Sequence, residues 1–230
     1  MRRPDAGRVF EHAARVRVGD AAPDGRARLD AIARWLQDAA FADVVDAGRD
    51  GVGGWGVRRC RIRVPRFPAF DEPLRAATFC TGLGRLWAER STLVEGEGGG
   101  RVEAVALWVH VDPGSGRPRG LTDRFAEVYG PSAGGRVVKA RLRHPPPPAS
   151  ASPAPWSFRA ADLDVAGHVN NAVYWAIPEE ELAGRRLESF DGEIEHRAPA
   201  GAGPARILGA GDMRWVLGGG EVHASLRLAP

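Results

Sequence analysis

A run of prolines, His144-Pro-Pro-Pro-Pro-Ala-Ser-Ala-Ser-Pro-Ala-Pro155, cuts the chain in two, and the same order of elements can be read on either side of it. Proline has no backbone donor and a fixed φ, so neither a helix nor a central strand crosses such a run, and residues 144–155 read as a semi-rigid extended linker. Before it, residues 16–19 read as a short strand and 20–25 as a turn. Leu29, Ile32, Ala33, Leu36 and Ala40 then share one face of a helix. After it, residues 156–159 read as a strand and 162–167 as a turn, and Val169, Ala172, Val173, Ala176 and Ile177 make the matching stripe. Setting Gly25 opposite Gly167 brings Asp20 opposite Asp162 without a gap, as a duplicated unit would.

Strand-like runs follow each helix. In the first half Arg59, Arg61 and Arg63 alternate with Cys60, Ile62 and Val64, the period of a strand with one wet and one buried face. Residues 74–81, 85–95 and 101–112 continue the series, and 193–197, 205–210, 212–217 and 221–228 repeat it in the second half. The glycines at 98–100 and 218–220 are hairpin punctuation rather than phosphate cradles, since no Lys-Ser/Thr pair follows and no helix starts there. A helix followed by an antiparallel meander buries itself by lying across one face of the sheet. Two such units side by side give an α+β fold: two antiparallel sheets forming one continuous sheet, each wrapped around a long central helix, with units at 1–143 and 156–230. Trp87, Trp108 and Trp175 supply bulk to a core or to a cleft between the halves.

The chemistry concentrates in residues 162–174, Asp-Leu-Asp-Val-Ala-Gly-His-Val-Asn-Asn-Ala-Val-Tyr. Asp164, Gly167 and His168 fall where a helix begins, where backbone N–H groups lack partners and the dipole favours negative charge. A carboxylate and an imidazole beside free donors suit attack of water on a carbonyl: one group takes the proton while the donors hold the oxyanion. Asp-x-x-Gly before a helix is also an ordinary cap, and Asn170 and Asn171 could simply satisfy first-turn amides. Capping asks for one polar residue, however, whereas six are spent here. Asn170 and Tyr174, and Asn171 and Trp175, are four apart and would flank the apolar stripe and face the groove between halves. Pro178 would break or restart the helix, with Glu179, Glu180 and Glu181 favourable at a new start.

Other classes fall away. With 43% apolar and 27% charged residues in 230, the chain can bury a sizeable core. Its net charge is only +3, from 31 Arg and the single Lys139 against 29 acids, with no basic run interleaved with aromatics, so nucleic acid is not an expected partner. Arg58, Arg59, Arg61, Arg63 and Arg66 could meet an acidic carrier or a nucleotide phosphate, but a solvated strand face is the plainer reading. Cys60 and Cys80 lie in no metal or redox spacing and fit small core residues in a reducing cytoplasm. No leader-like apolar segment follows the basic N-terminus, and no stretch reaches a membrane span. No metal or cofactor is expected.

From about Phe10 to Leu228 the chain resembles the double (tandem) hotdog acyl-acyl-carrier-protein thioesterases. The resemblance rests on Asp162-Leu-Asp-Val-x-x-His-Val-Asn-Asn-x-x-Tyr174, and on Thr81-Gly-Leu-Gly-Arg-Leu-Trp-Ala-Glu-Arg90, Ala106-Leu-Trp-Val-His-Val-Asp112 and Phe125-Ala-Glu-Val-Tyr-Gly130. It implies Asp164 and His168 as catalytic residues and hydrolysis of acyl-ACP or acyl-CoA to free fatty acid. Where that family's pattern has an Asn this chain has Ala166, and where it has Glu-Cys this chain has Pro199 and Ala200. What remains is similar to the single-hotdog enzymes acting on coenzyme A esters, in which Asp-x-x-Gly is the working core. That likeness makes Asp164 the base or nucleophile and gives the oxyanion to the amides of Gly167 and His168. Asn170, Asn171 and Tyr174 would meet the thioester and pantetheine arm, and the N-terminal half would receive the acyl chain. The departures leave an alternative, a hotdog protein that binds acyl thioesters or a partner without turnover. A homodimer is admitted but not required, because duplication already supplies the pairing internally.

Overall fold

The chain opens with β1 (Phe10–Arg15), where alternate side chains turn inward, and then closes a 3-10 turn at Val18–Asp20. The strand thus lies before the expected residues 16–19, because the Asp20 carboxylate accepts the Arg17 N–H (3.1 Å) and holds that segment in a local turn. Helix α1 (Leu29–Asp46) follows, burying Leu29, Ile32, Leu36, Ala39 and Asp43 at helical spacing. Each large aliphatic side chain sealed this way contributes roughly 1.5–3 kcal/mol. Strands β2 (Gly54–Arg66), β3 (Pro73–Leu83), β4 (Trp87–Gly96) and β5 (Arg101–Val111) complete the meander, and α2 (Asp123–Ala133) packs on β3. Its capping Thr122 accepts the Phe125 N–H at 3.1 Å. In this computed structural model, residues 1–48, 54–112 and 114–229 are described.

The second half runs β6 (Ser152–Phe158), a short helix α3 (Ala176–Glu181), β7 (Phe190–His196), β8 (Gly203–Ala210), β9 (Met213–Gly218) and β10 (Glu221–Ala229). All ten strands make one antiparallel sheet in the order β1-β3-β4-β5-β2-β7-β10-β9-β8-β6. The halves join where β2 pairs with β7, Arg59 opposite Glu195 through Val64 opposite Phe190. Much of the arginine cluster is spent on that seam. Arg61 holds Asp191 at 2.6 Å, Arg59 approaches Glu193 at 3.5 Å, and Arg58 donates to the carbonyls of His196 and Arg197.

The Pro-rich segment is pinned rather than loose. The buried Glu195 carboxylate accepts the N–H groups of Arg143 (2.6 Å) and His144 (3.0 Å), and Trp215 donates from its indole to the Pro145 carbonyl at 2.8 Å. Strand β6 begins inside this segment, and Pro153 and Pro155 sit on it without harm because it is an edge strand whose outward N–H groups need no partner.

The expected second long helix is not formed. Asn170 accepts the Ala172 N–H on its own Oδ1 (2.8 Å), Val173–Trp175 is a 3-10 turn, and only Ala176–Glu181 is α-helical. Pro178 is the third residue of α3, where a missing N–H costs nothing, so the helix restarts around it. The chain leaves that segment through Gly184, at φ +77°. A 3-10 turn puts i and i+3 on one face, so Ala172, Trp175 and Pro178 all turn inward and Tyr174 goes with them. Among the described residues no helix is long and apolar enough to cross a membrane.

Candidate active site

Two hairpins of identical construction stand at corresponding places in the halves. In the first, the Ala22 carbonyl accepts the Gly25 N–H (2.9 Å) and the Ala22 N–H donates to the Arg26 carbonyl (2.7 Å). In the second, the Asp164 carbonyl accepts the Gly167 N–H (2.9 Å) and the Asp164 N–H donates to the His168 carbonyl (2.8 Å). Each is a tight turn closed by a glycine in the left-handed region, Gly25 at φ +85° and Gly167 at φ +75°, a conformation that a Cβ would strain. The carboxylate before each turn plays one part as well: Asp20 accepts from Arg17 N, and Asp162 from Arg159 N at 2.8 Å. Burial pushes the Asp162 carboxyl up, but the Arg159 guanidinium and N–H outweigh it and hold it below the usual carboxylate range. Neighbouring chain seats both hairpins alike, Ala27 N donating to the Pro68 carbonyl and Val169 N to that of Ala200, each at 2.8 Å.

The environments differ. The first hairpin looks onto a broad groove of about 1260 Å³ in which Arg26, almost fully buried, grips Glu179 of α3 (2.6 and 3.1 Å). The Glu179 Oε2 then accepts the Leu29 N–H at 3.0 Å, so a carboxylate from the other half closes the start of α1. The second hairpin looks onto a cleft of about 400 Å³. Its walls are Asp164, Val165, Asn170 and Asn171 from this hairpin, Gln37, Phe41 and Val44 of α1, and Trp55, Cys80, Glu89, Arg90, Trp108 and Phe125 beyond. Hence the cleft joins the C-terminal hairpin to the N-terminal helix and sheet.

Asp164 lines this cleft half-buried and takes part in no salt bridge among the described residues. Its Oδ1 accepts the Ala166 N–H at 2.9 Å, which fixes the carboxylate, and no hydrogen bond engages the other oxygen among the described residues. Asn170 is the cap and Asn171 a wall; the Asn171 N–H, the counterpart of Leu29 N, makes no hydrogen bond among the described residues. These three the structure brings together.

The other expected site residues lie elsewhere. The Gly167 N–H closes the hairpin and is not free to hold an oxyanion. The His168 side chain faces solvent, outside the cleft wall, where the equivalent Arg26 turns inward. Tyr174 is 2% exposed, packed beside Phe158 (5.2 Å between rings) and edge-on to His196 (5.0 Å), because the 3-10 turn rotates it inward; burial pushes its hydroxyl up to about 12. Ala166 is exposed, and Ala200 is buried and seats the hairpin through its carbonyl.

Sequence reasoning missed Gln37, Glu89, Arg90, Trp55 and Phe125 as cleft residues, since nothing local marks a residue whose partner comes from the other half. The repeat could have found one of them: with Gly25 opposite Gly167, Gln37 stands opposite Glu179. Arg90 is fixed by the buried Asp43 (2.6 Å), itself held by Arg8 at 2.6 Å. Cys80 is raised by burial and Cys60 is pushed up to about 12 by burial and then by Glu193, so both stay neutral thiols rather than nucleophiles. His144, Glu193 and Glu195 cluster in the core with one ligand atom of each within 4.8 Å of the others, apart from the cleft, and the ring's Nδ1 lies 3.0 Å from the Ser225 hydroxyl.

The family model described as acyl-ACP thioesterase N-terminal domain matches residues 7–129, and that of the C-terminal domain residues 148–198. An uncharacterised Mycobacterium tuberculosis protein is 26% identical over 206 residues, covering 88% of this chain and 82% of its own. A thioesterase structure from Lactobacillus plantarum superposes with a TM-score of 0.77 at 18% identity, covering 97% and 96% of the two chains. The 12:0-ACP thioesterase of Umbellularia californica does so at 0.73 and 20%, covering 96% of each. At such identities the structural likenesses establish the hotdog fold.

Proposed function

Because this chain belongs to the acyl-ACP thioesterase family, we propose that it hydrolyses fatty acyl thioesters of acyl carrier protein or coenzyme A to free fatty acid, with Asp164 as the group that starts the reaction. The architecture that goes with this reading is a tandem hotdog, units 1–143 and 156–230 joined by 144–155. The observation that carries it is the placement of Asp164: a carboxylate fixed through one oxygen, open at the other, on the wall of a cleft between the halves.

The thioester carbonyl enters between Asp164 and α1, and the apolar wall of Phe41, Val44, Trp55, Trp108 and Phe125 takes the acyl chain. Asp164 takes a proton from water, or attacks the carbonyl itself. The oxyanion forms against the unpaired Asn171 N–H rather than against Gly167, whose N–H is already bonded. Expulsion of the thiolate, which then takes up a proton, gives the free acid directly when water attacks; when Asp164 attacks, it leaves an acyl-aspartyl anhydride that water then hydrolyses to the free acid and the carboxylate. The exposed His168 is the residue nearest in sequence to relay a proton to bulk water.

Free-thiol release from a panel of acyl-ACP and acyl-CoA thioesters by wild type and Asp164→Asn tests this reading. Losing the base lowers kcat by on the order of 10²–10⁴-fold. Unchanged hydrolysis by Asp164→Asn contradicts it. The bare side chains at Ala166 and Ala200 favour a second reading, binding without turnover, which saturable acyl-thioester binding with no thiol release would establish.

A further inference from the structure

The near-twofold relation between the hairpins assigns a role to Gln37 that nothing in its own neighbourhood announces. In the closed copy, Glu179 reaches across from the other half and its carboxylate accepts the first free N–H of α1, with Arg26 neutralising it. Carried to the open copy, Glu179 becomes Gln37, Leu29 becomes Asn171 and Arg26 becomes His168. Gln37 and Asn171 line the same cleft with Asp164, and the Gln37 carboxamide makes no hydrogen bond among the described residues. A glutamate there would fill the Asn171 N–H with its own oxygen, as Glu179 does at Leu29, and would set a second anion beside Asp164. A carboxamide carries no charge and offers an N–H of its own.

We infer that Gln37 is a catalytic residue of the open cleft: its side-chain N–H donates to the thioester carbonyl alongside the Asn171 N–H, making up for the polar groups lost at Ala166, Pro199 and Ala200. The assignment rests on the thioesterase reading of Asp164. The two residues line one cleft from opposite halves, so a carbonyl bound between them lies where the halves meet, and charge developing on its oxygen is shared between a side-chain and a backbone donor. The helix that supplies Gln37 is braced through the buried Asp43 with Arg8 and Arg90, which keeps that donor in place as substrate enters.

The test compares wild type, Gln37→Ala, Gln37→Glu and Asp164→Asn in two measurements: the pH profile of acyl-CoA hydrolysis, and binding of a ketone analogue in which CH₂ replaces the thioester sulfur. Losing an oxyanion donor lowers kcat/KM of Gln37→Ala by on the order of 10²-fold, chiefly through kcat, and weakens the ketone. Gln37→Glu loses at least as much, and the acid limb of its profile moves to higher pH because two like charges in one cleft disfavour each other. Ketone affinity and turnover of Gln37→Ala within about twofold of wild type, with an unshifted Gln37→Glu profile, overturn the assignment while leaving Asp164 untouched. If Asp164→Asn turns over like wild type, the reading of Asp164 as the group that starts the reaction fails; the ketone still decides whether Gln37 touches the carbonyl. Matching thermal midpoints across the variants show that the fold is kept.

Discussion

The hairpin at Ala22–Arg26 and the hairpin at Asp164–His168 share their backbone hydrogen bonds, their left-handed glycine and the way neighbouring chain seats them, yet one is closed and the other open. The differences that bear on this are Ala22 against Asp164, Arg26 against His168, Leu29 against Asn171, and Glu179 against Gln37. In the closed copy an ion pair nearly out of solvent consumes the helix-start amide, Ala22 stands where the open copy has Asp164, and the turn's own carboxylate, Asp24, lies against Arg26 at 3.5 Å. In the open copy the amide is unconsumed and the carboxylate is present. Backbone geometry therefore supplies a place where chemistry can happen, and a few side chains decide which copy uses it. The closed copy's polar residues serve stability, tying the two halves together through Arg26 and Glu179.

The contrast is most exposed to Glu179→Gln. That change leaves Arg26, whose side chain is 9% exposed, with only the longer contact to Asp24 at 3.5 Å, and it costs about 3 kcal/mol in urea unfolding. Turnover per folded molecule stays within about twofold. Equal stability would mean that the closed copy is not held by its ion pair.

An effect that appears only as pH falls separates the buried ionisable groups of the two halves. In the N-terminal half Asp43 is paired with Arg8 and Arg90. In the C-terminal half burial, and then Arg58, hold His196 down to about 4, and its Nε2 has no partner. Folded His196 is neutral between pH 4 and the ordinary histidine value near 6.5, while unfolded His196 binds a proton, so stability rises with pH through this window and is lost as pH falls. The loss reaches up to about 3 kcal/mol near pH 4 and is removed by His196→Gln, measured by unfolding at pH 7 and pH 4.5. Hydrogen exchange at pH 4.5 should show the C-terminal strands opening first; uniform opening would contradict this.

How much of this could be read from the sequence follows from where the information lies. The hairpin was legible because Gly25 and Gly167 are local requirements, and the strands because alternation such as that of Arg59, Cys60, Arg61 and Ile62 is a local period. The second helix was misjudged because the apolar stripe from Val169 to Ile177 fits a continuous α-helix on paper, whereas the Asn170 cap and the 3-10 turn shift its phase and send Tyr174 into the core. Helix α2 passed unnoticed as a helix within a family phrase, its cap resting on the single residue Thr122. Asp164 and Asn171 were found within the motif, but their partners across the cleft, Gln37 and Arg90, come from more than seventy residues away, and only the repeat register links one of them to the site.

The number of ketone-analogue molecules bound per chain, measured by calorimetry with wild type, bears most directly on the claim that one of two like-built hairpins is open. A single site per chain, weakened by Gln37→Ala and unaffected by Glu179→Gln, is expected. Two equivalent sites, or one site that survives Gln37→Ala and disappears with Glu179→Gln, would show that the working cleft has been placed at the wrong hairpin.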